Sequence, residues 1–158
     1  MTIQVGDSLP SIKLQEGNPG NTVDIAALFK GKKGVLFAVP GAYTPGCSKT
    51  HLPGYIENAD RFRAKGIDLV ACVAVNDAFV MSAWGESQGA GDKIRMLADP
   101  GADFTRAVGM QVEAKALGGT RSKRYSMLIE DGVVKSINLE PDGFGLTCSL
   151  APALIDQL

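Results

Sequence analysis

Residues 34–55, "GVLFAVPGAYTPGCSKTHLPGY", join an apolar run of strand length to a turn rich in proline and glycine and then to a helix-forming segment. Val35 to Pro40 is almost wholly apolar, as expected of a strand buried on both faces. The turn has the outline of a phosphate-binding loop: Gly41, four residues, Gly46, then Lys49-Thr50. A working loop of that kind places Lys and Ser or Thr directly after its second glycine, so that backbone N–H groups and the ammonium converge on phosphate. Here Cys47 and Ser48 hold those places. On a helix starting near 47, a two-residue delay swings the lysine through about 200°, away from the cradle. Pro45 also removes one N–H that the cradle would use. The nucleotide reading fails, and Cys47 becomes the residue around which the loop is built.

Outward from this stretch the chain alternates strand and helix patterns. "SIKLQ" alternates, "EGNPGN" reads as a turn, and "DIAALF" as a short helix stopped at Gly31. "SKTHLPGYIENADRFRAKG" predicts a helix with Gly66 past its end, kinked or broken at Pro53-Gly54. "IDLVACVAV" is a second buried strand, and Asn76-Asp77 have N-cap chemistry for the helix "AFVMSAWGESQG". "KIRMLAD" is a further strand, and "DPGAD" a turn with helix-start character. "EAKALGGTRSK" reads as a connection rich in glycine and charge. "RYSMLIEDGVVKSINLE" predicts a β-hairpin about Glu130-Asp131-Gly132. A last helix is expected over about 148–157. This order describes an α/β protein with a mixed sheet flanked by helices, in one domain over 1–158.

At 158 residues, 45% apolar and 21% charged, the composition is that of an ordinary globular protein. A formal net charge of −1 argues against a nucleic-acid binder, which would normally carry a basic face. No apolar run is long enough to span a bilayer, and the first ten residues resemble neither a signal peptide nor a transit segment. The expected setting is the cytoplasm, with mitochondrial or peroxisomal forms as alternatives. The final Asp-Gln-Leu departs from the small-basic-Leu form of a peroxisomal signal.

Cys47, Cys72 and Cys148 are odd in number and far apart, which argues against a disulfide framework. With no C-x-x-C pair and His51 as the only histidine, zinc is not expected either, nor any cofactor. Thiol chemistry and inert burial remain. Cys47 falls at a strand–helix junction, where unpaired N–H groups and the helix dipole favour an anion, and the thiolate is the reactive form of cysteine. Thr44, three residues earlier, can bring a hydroxyl beside the sulfur, while Pro40 and Pro45 stiffen the turn. An idle cysteine beside a stiff turn is the competing reading, and position alone does not separate the two.

The run "PGAYTPGC" resembles the active-site signature of the peroxiredoxins, Pro40-x-x-x-Thr44-x-x-Cys47. The wider stretch is similar to the atypical two-cysteine subgroup of type 5 and the plant-like type II enzymes. The likeness continues through "VNDAFVMSAWG", "LADPGADF", "KRYSMLIEDGVV" and "EPDGFGLTCSLAP". It implies a thioredoxin-like fold and a thiol peroxidase that reduces hydrogen peroxide, organic hydroperoxides and peroxynitrite, recycled by thioredoxin and acting as a non-covalent homodimer. It further implies Cys47 as the peroxidatic nucleophile, becoming a sulfenic acid. Thr44, the backbone N–H groups of Gly46 and Cys47, and an arginine would steady the charge of the transition state. That arginine maps onto Arg124, at the start of a strand; Arg121, in the Gly-rich connection, is the rival. Cys148 matches the type 5 resolving cysteine. Cys72, 25 residues after Cys47, matches the plant type II spacing but lies in an apolar strand.

His51, four residues past Cys47, is expected to support or pack rather than to act as acid or base, because the motif contains no such histidine. Disulfide formation would need local unfolding around the Cys47 helix, eased by Pro53-Gly54. "EAKALGGTRSK" is shorter and less apolar than expected of type 5 enzymes, which argues against a preference for bulky organic peroxides. "PGAYTPG" and "DPGADF" are the expected dimer surface. A thioredoxin-like disulfide reductase would want a second cysteine where Thr50 stands, and a non-catalytic interaction module would leave all three thiols inert.

Overall fold

The computed structural model describes residues 2–158. Its centre is a seven-stranded mixed sheet in the order β2-β1-β5-β4-β3-β8-β9. β3 (Lys33–Ala38), β4 (Leu69–Ala74) and β5 (Arg95–Ala98) run parallel. β8 (Tyr125–Glu130) lies antiparallel to β3, and β9 (Val133–Leu139) antiparallel to β8. β1 (Lys13–Glu16) and β2 (Asn18–Asp24) extend the other edge beside β5.

The period-2 alternation of β3 sorts its side chains into two cores. Val35, Phe37 and Val39 face Cys47, Leu52, Tyr55, Cys72 and Trp84, while Leu36 and Ala38 face Phe29, Phe104 and Tyr125. Both faces are covered, so the run had to be apolar throughout. Phe37 stacks on Tyr55 at 4.0 Å between centroids, and Tyr55 on Phe62 at 5.5 Å. That aromatic column fixes the helix carrying the loop's far end against the sheet.

The helices are α1 (Ile25–Phe29), α2 (Leu52–Glu57), α3 (Ala59–Ala64), α4 (Ala78–Gln88), α5 (Asp103–Ala107) and α6 (Ala151–Ile155). Asp77 caps α4, accepting from Val80 N at 2.8 Å, and Gly89 closes it in the left-handed conformation. At the "DPGAD" turn, the Asp99 carboxylate accepts from the backbone N–H groups of Phe104 and Thr105 and so starts α5. Asp131 and Gly132, both at positive φ, form the two-residue turn between β8 and β9.

Several expectations are corrected. The helix after Cys47 does not break at Pro53-Gly54. It opens with a π-helical turn, Cys47–His51, and its break falls at Asn58, between α2 and α3. Pro53 sits in the first turn of α2, where its missing N–H is tolerated. "EGNPGN" is not a free turn: β2 begins within it, with a bulge in its pairing to β1. Asp77, not Asn76, caps α4. The connection before Arg124 is a hairpin of its own, β6 (Gln111–Ala114) and β7 (Gly119–Ser122), joined by a 3₁₀ turn. The last helix starts at Ala151 rather than near 148.

Candidate active site

The loop 39–46 leaves the carboxyl end of β3, the edge at which parallel sheets of this kind carry their sites. Two hydrogen bonds fix it, and a guanidinium packs against it. Ala42 N donates to Asn76 Oδ1 at 2.9 Å, Thr44 Oγ1 donates to Gly41 O at 2.8 Å, and Arg121 lies alongside, donating to Val75 O at 3.1 Å and Leu117 O at 2.7 Å. A Cβ on Gly41 would come within 3.1 Å of Arg121 Nη1, so glycine lets the guanidinium and loop approach. Pro40 is buried beneath, and Tyr43 stands exposed at the tip with φ of 66°.

Cys47 opens the π-helical turn and is fully buried. The turn's Leu52 N–H reaches back five residues to Cys47 O, which leaves room for an extra residue and for Pro53 just beyond. Ser48 Oγ accepts from the indole of Trp84 at 3.0 Å. Lys49 and Thr50, the residues that suggested a phosphate loop, are exposed on the outer face.

Arg124 meets the sulfur. It lies directly before β8 with 4% exposure, and its Nη2 donates to Cys47 Sγ at 3.2 Å. Nε donates to Phe144 O at 3.2 Å, while the Arg124 backbone pairs with Gly143 O and Glu140 N. Each nitrogen of the fork has a fixed acceptor, His51 Nδ1 being the third, which a lysine could not reproduce. Arg121 has no such contact with the sulfur. It works from β7, a strand rather than the loop expected, and packs against Gly41.

His51 completes the cluster. Its Nδ1 lies 2.9 Å from Arg124 Nη1, and its Nε2 3.2 Å from Ser149 O. A guanidinium can only donate, so Nδ1 is the acceptor and Nε2 carries the proton, donated to Ser149 O. Burial, then the Arg124 charge, pushes its pKa down to about 3. The ring is neutral at ordinary pH and supports the arginine, in line with a supporting role.

The same carbonyl of Ser149 accepts from Tyr55 Oη at 2.8 Å. Cys148, next to it, is half-buried, its thiol donating to Leu139 O at 3.4 Å. Burial and then the nearby Glu140 carboxylate push that thiol up. Cys72 is fully buried opposite Phe37 on β4, and burial raises its thiol well above the ordinary value. Arg124, His51 and Gly46 thus gather at Cys47, Thr44 and Pro40 belong to the adjoining 39–46 loop, and Cys148 is reached through His51 and Ser149. Arg121 and Glu140 are the residues whose contacts the sequence reading missed. Nothing local in the sequence marks either one.

This cluster sets a permanent guanidinium against a buried sulfur, an arrangement that stabilises negative charge developing there. The redoxin family profile matches residues 4–149. Peroxiredoxin-2E-2 of Oryza sativa subsp. japonica, named chloroplastic, is 50% identical over 99% of this chain and 73% of its own length. The chain belongs to the redoxin family, as a peroxiredoxin. Reduced Prx3 of Vibrio vulnificus, solved in complex with hydrogen peroxide, superposes with a TM-score of 0.94 at 48% identity, covering 99% of this chain and 100% of that one. Peroxiredoxin 5 of Alvinella pompejana superposes with a TM-score of 0.85 at 44% identity, over 98% of each chain. The fold is the thioredoxin-like one, of the type 5-like branch, and the peroxiredoxin is a thiol peroxidase of antioxidant function. The expected cytoplasmic setting gains no support from the rice relative, and no helix among the described residues is long and apolar enough to cross a membrane.

Proposed function

We propose that this chain, as one domain over 1–158, reduces hydroperoxides through Cys47 and resolves the product through Cys148. The observation that carries the reading is the 3.2 Å contact of Arg124 Nη2 with the buried Cys47 Sγ. The Cys47 thiolate attacks the peroxide oxygen that bears hydrogen. The S–O bond forms, the O–O bond breaks, and the departing alkoxide or hydroxide takes a proton from solvent. Thr44 already donates its own proton to Gly41 O, so it offers lone pairs to the peroxide O–H. The Gly46 and Cys47 N–H groups and Arg124 steady the charge that spreads over the oxygens. Cys148 thiolate then attacks the sulfenic sulfur, forming the disulfide and expelling hydroxide, which is protonated to water. A thioredoxin-type dithiol reduces that disulfide by exchange and is itself oxidised.

Tyr43 and Phe79, 54% and 63% exposed, supply the apolar part of the dimer face, on the loop and helix joined by the Ala42–Asn76 bond. The decisive test is peroxide-dependent thiol loss, resolved by mass spectrometry. Cys47 should react first and Cys47→Ser should abolish the reaction. Reactivity persisting in Cys47→Ser would sink the assignment, and a Cys47–Cys72 bond in the oxidised protein would refute Cys148.

A further inference from the structure

Glu140 follows β9 and is 1% exposed, yet it has no cationic partner among the described residues. Its carboxylate is held wholly by the segment that carries Cys148. Oε1 accepts from Thr147 N at 3.1 Å and Thr147 Oγ1 at 2.6 Å; Oε2 accepts from Thr147 N at 3.0 Å, Ser149 N at 2.8 Å and Ser149 Oγ at 2.5 Å. Burial pushes this carboxyl up, but the Ser149 and Thr147 bonds together outweigh it and hold the pKa at about 2. The two residues flanking Cys148 are thereby fastened to the end of β9, while Cys148 Sγ itself faces Leu139 O.

The fastening reaches the peroxidatic site by two further routes. Ser149 O receives His51, which braces Arg124 against Cys47 Sγ. Leu146, in the same segment, lies over the loop so closely that a Cβ on Gly46 would sit 3.2 Å from its Cδ1. While Glu140 holds, Cys148 stays a thiol turned to a backbone carbonyl, and the Arg124 cluster stays assembled for peroxide.

We infer that Glu140 is a positioning residue that latches the Cys148 segment, so that release of this carboxylate sets the pace at which Cys148 attacks the Cys47 sulfenic acid. The inference rests on Cys148 being the resolving thiol. The chemistry of that step is unchanged: the S–S bond forms, the S–O bond breaks, and hydroxide leaves as water. A slow latch keeps Cys47 as sulfenic acid for longer, exposed to a second peroxide and conversion to sulfinic acid.

The test uses the full chain and two probes. One is the fluorescence of Trp84, the single tryptophan, whose indole bonds Ser48 beside Cys47. The other is alkylation by N-ethylmaleimide, followed at each cysteine by mass spectrometry. Glu140→Gln keeps the shape but turns an amide donor towards N–H and O–H donors. Losing one charge-assisted bond should raise both Cys148 alkylation and the slow, peroxide-independent fluorescence phase about tenfold. A tenfold rise in opening still leaves the segment closed most of the time, so the fast, peroxide-dependent phase and the alkylation of Cys72 should stay unchanged. Thr147→Val removes one hydroxyl and, should Glu140→Gln fail to fold, must still raise both Cys148 alkylation and the slow phase, by about threefold. Unchanged Cys148 alkylation overturns the latch, as does a slow phase that does not follow it. Cys72 rising in parallel also overturns it, since that is general loosening. Peptide mapping of the oxidised parent separates the remaining case: a Cys47–Cys72 bond overturns the resolving role and the rate claim together.

Discussion

Replacing His51 by phenylalanine separates a bracing histidine from an acid–base one. The ring packs 4.9 Å from Phe37 and 5.5 Å from Tyr55, so an apolar ring of similar size fits the same slot. What disappears is the Nδ1 acceptor for Arg124 Nη1 and the Nε2–H donor to Ser149 O. Ser149 O keeps Tyr55 Oη, so the main loss is one charge-assisted bond in a buried site. Such a bond is worth about 1.5–3 kcal/mol. If all of it bears on holding the guanidinium at the sulfur, the second-order rate constant with peroxide falls roughly 10- to 100-fold. A loss of about 2 kcal/mol in stability lowers Tm by about 4–8 °C for a chain of this size. The assay is stopped-flow Trp84 fluorescence with hydrogen peroxide from pH 5 to 9, in parent and variant. The curves should be displaced by a constant factor, because the parent's ring is already neutral across that range. A step near pH 6.5 in the parent that vanishes in His51→Phe would mean that His51 titrates during the reaction and would refute the reasoning, as would an unchanged rate.

Three further outcomes can be checked. Arg124→Lys keeps the charge but cannot reach Cys47 Sγ, His51 and Phe144 O together, so the peroxide rate constant should drop by about tenfold or more; near-parental activity would contradict the fork's role. Stability should fall with acid in two overlapping windows, followed by urea midpoints at fixed pH. His51, with a folded pKa of about 3 against 6.5 unfolded, leaves the unfolded chain binding the extra proton, so stability declines as pH drops from about 6.5 towards 3. Glu140, at about 2 against 4.5, adds a loss from about 4.5 towards 2, and His51→Phe should flatten only the upper window. Cys72→Ser should leave disulfide formation by mass mapping intact and affect stability alone, since the thiol is enclosed in the core.

The buried strands were plain in the sequence because both faces of β3 and β4 are covered, and an unbroken apolar run is the result. The β8–β9 hairpin was equally plain, since Asp131-Gly132 takes the paired positive φ values that so few residues accept. Local spacing set Cys47 at a strand–helix junction but left it between a reactive and an idle thiol. The family resemblance decided that, and it alone supplied Arg124, because the arginine's contact spans 77 residues. The π-helical turn left no mark: it differs from an α turn by one residue of register, and Pro53 drew the break towards itself when it belonged to a first turn. The β6–β7 hairpin hid in a stretch whose glycines suggested a loop, although Gly118, at positive φ, closes the 3₁₀ turn that lets the strands pair. Glu140 was invisible for another reason. A carboxylate satisfied by neutral donors has no charged partner in the sequence to point to it.

Complete burial of Cys47 also bears on traffic between oxidant and reductant. A sulfur with no exposed surface, held against Arg124, gives a bulky thiol no line of approach while the packing holds, whereas a molecule the size of hydrogen peroxide needs only small motions of the loop. With Cys148 as the resolving thiol, the enzyme would admit its two substrates through separate doors. On the proposed route, peroxide goes inward to Cys47, and electrons arrive from the surface only after the Cys148 segment has opened. Steric insulation of this kind keeps the sulfenic acid out of exchange with the surrounding thiol pool, and it makes the order of the two half-reactions a property of the packing.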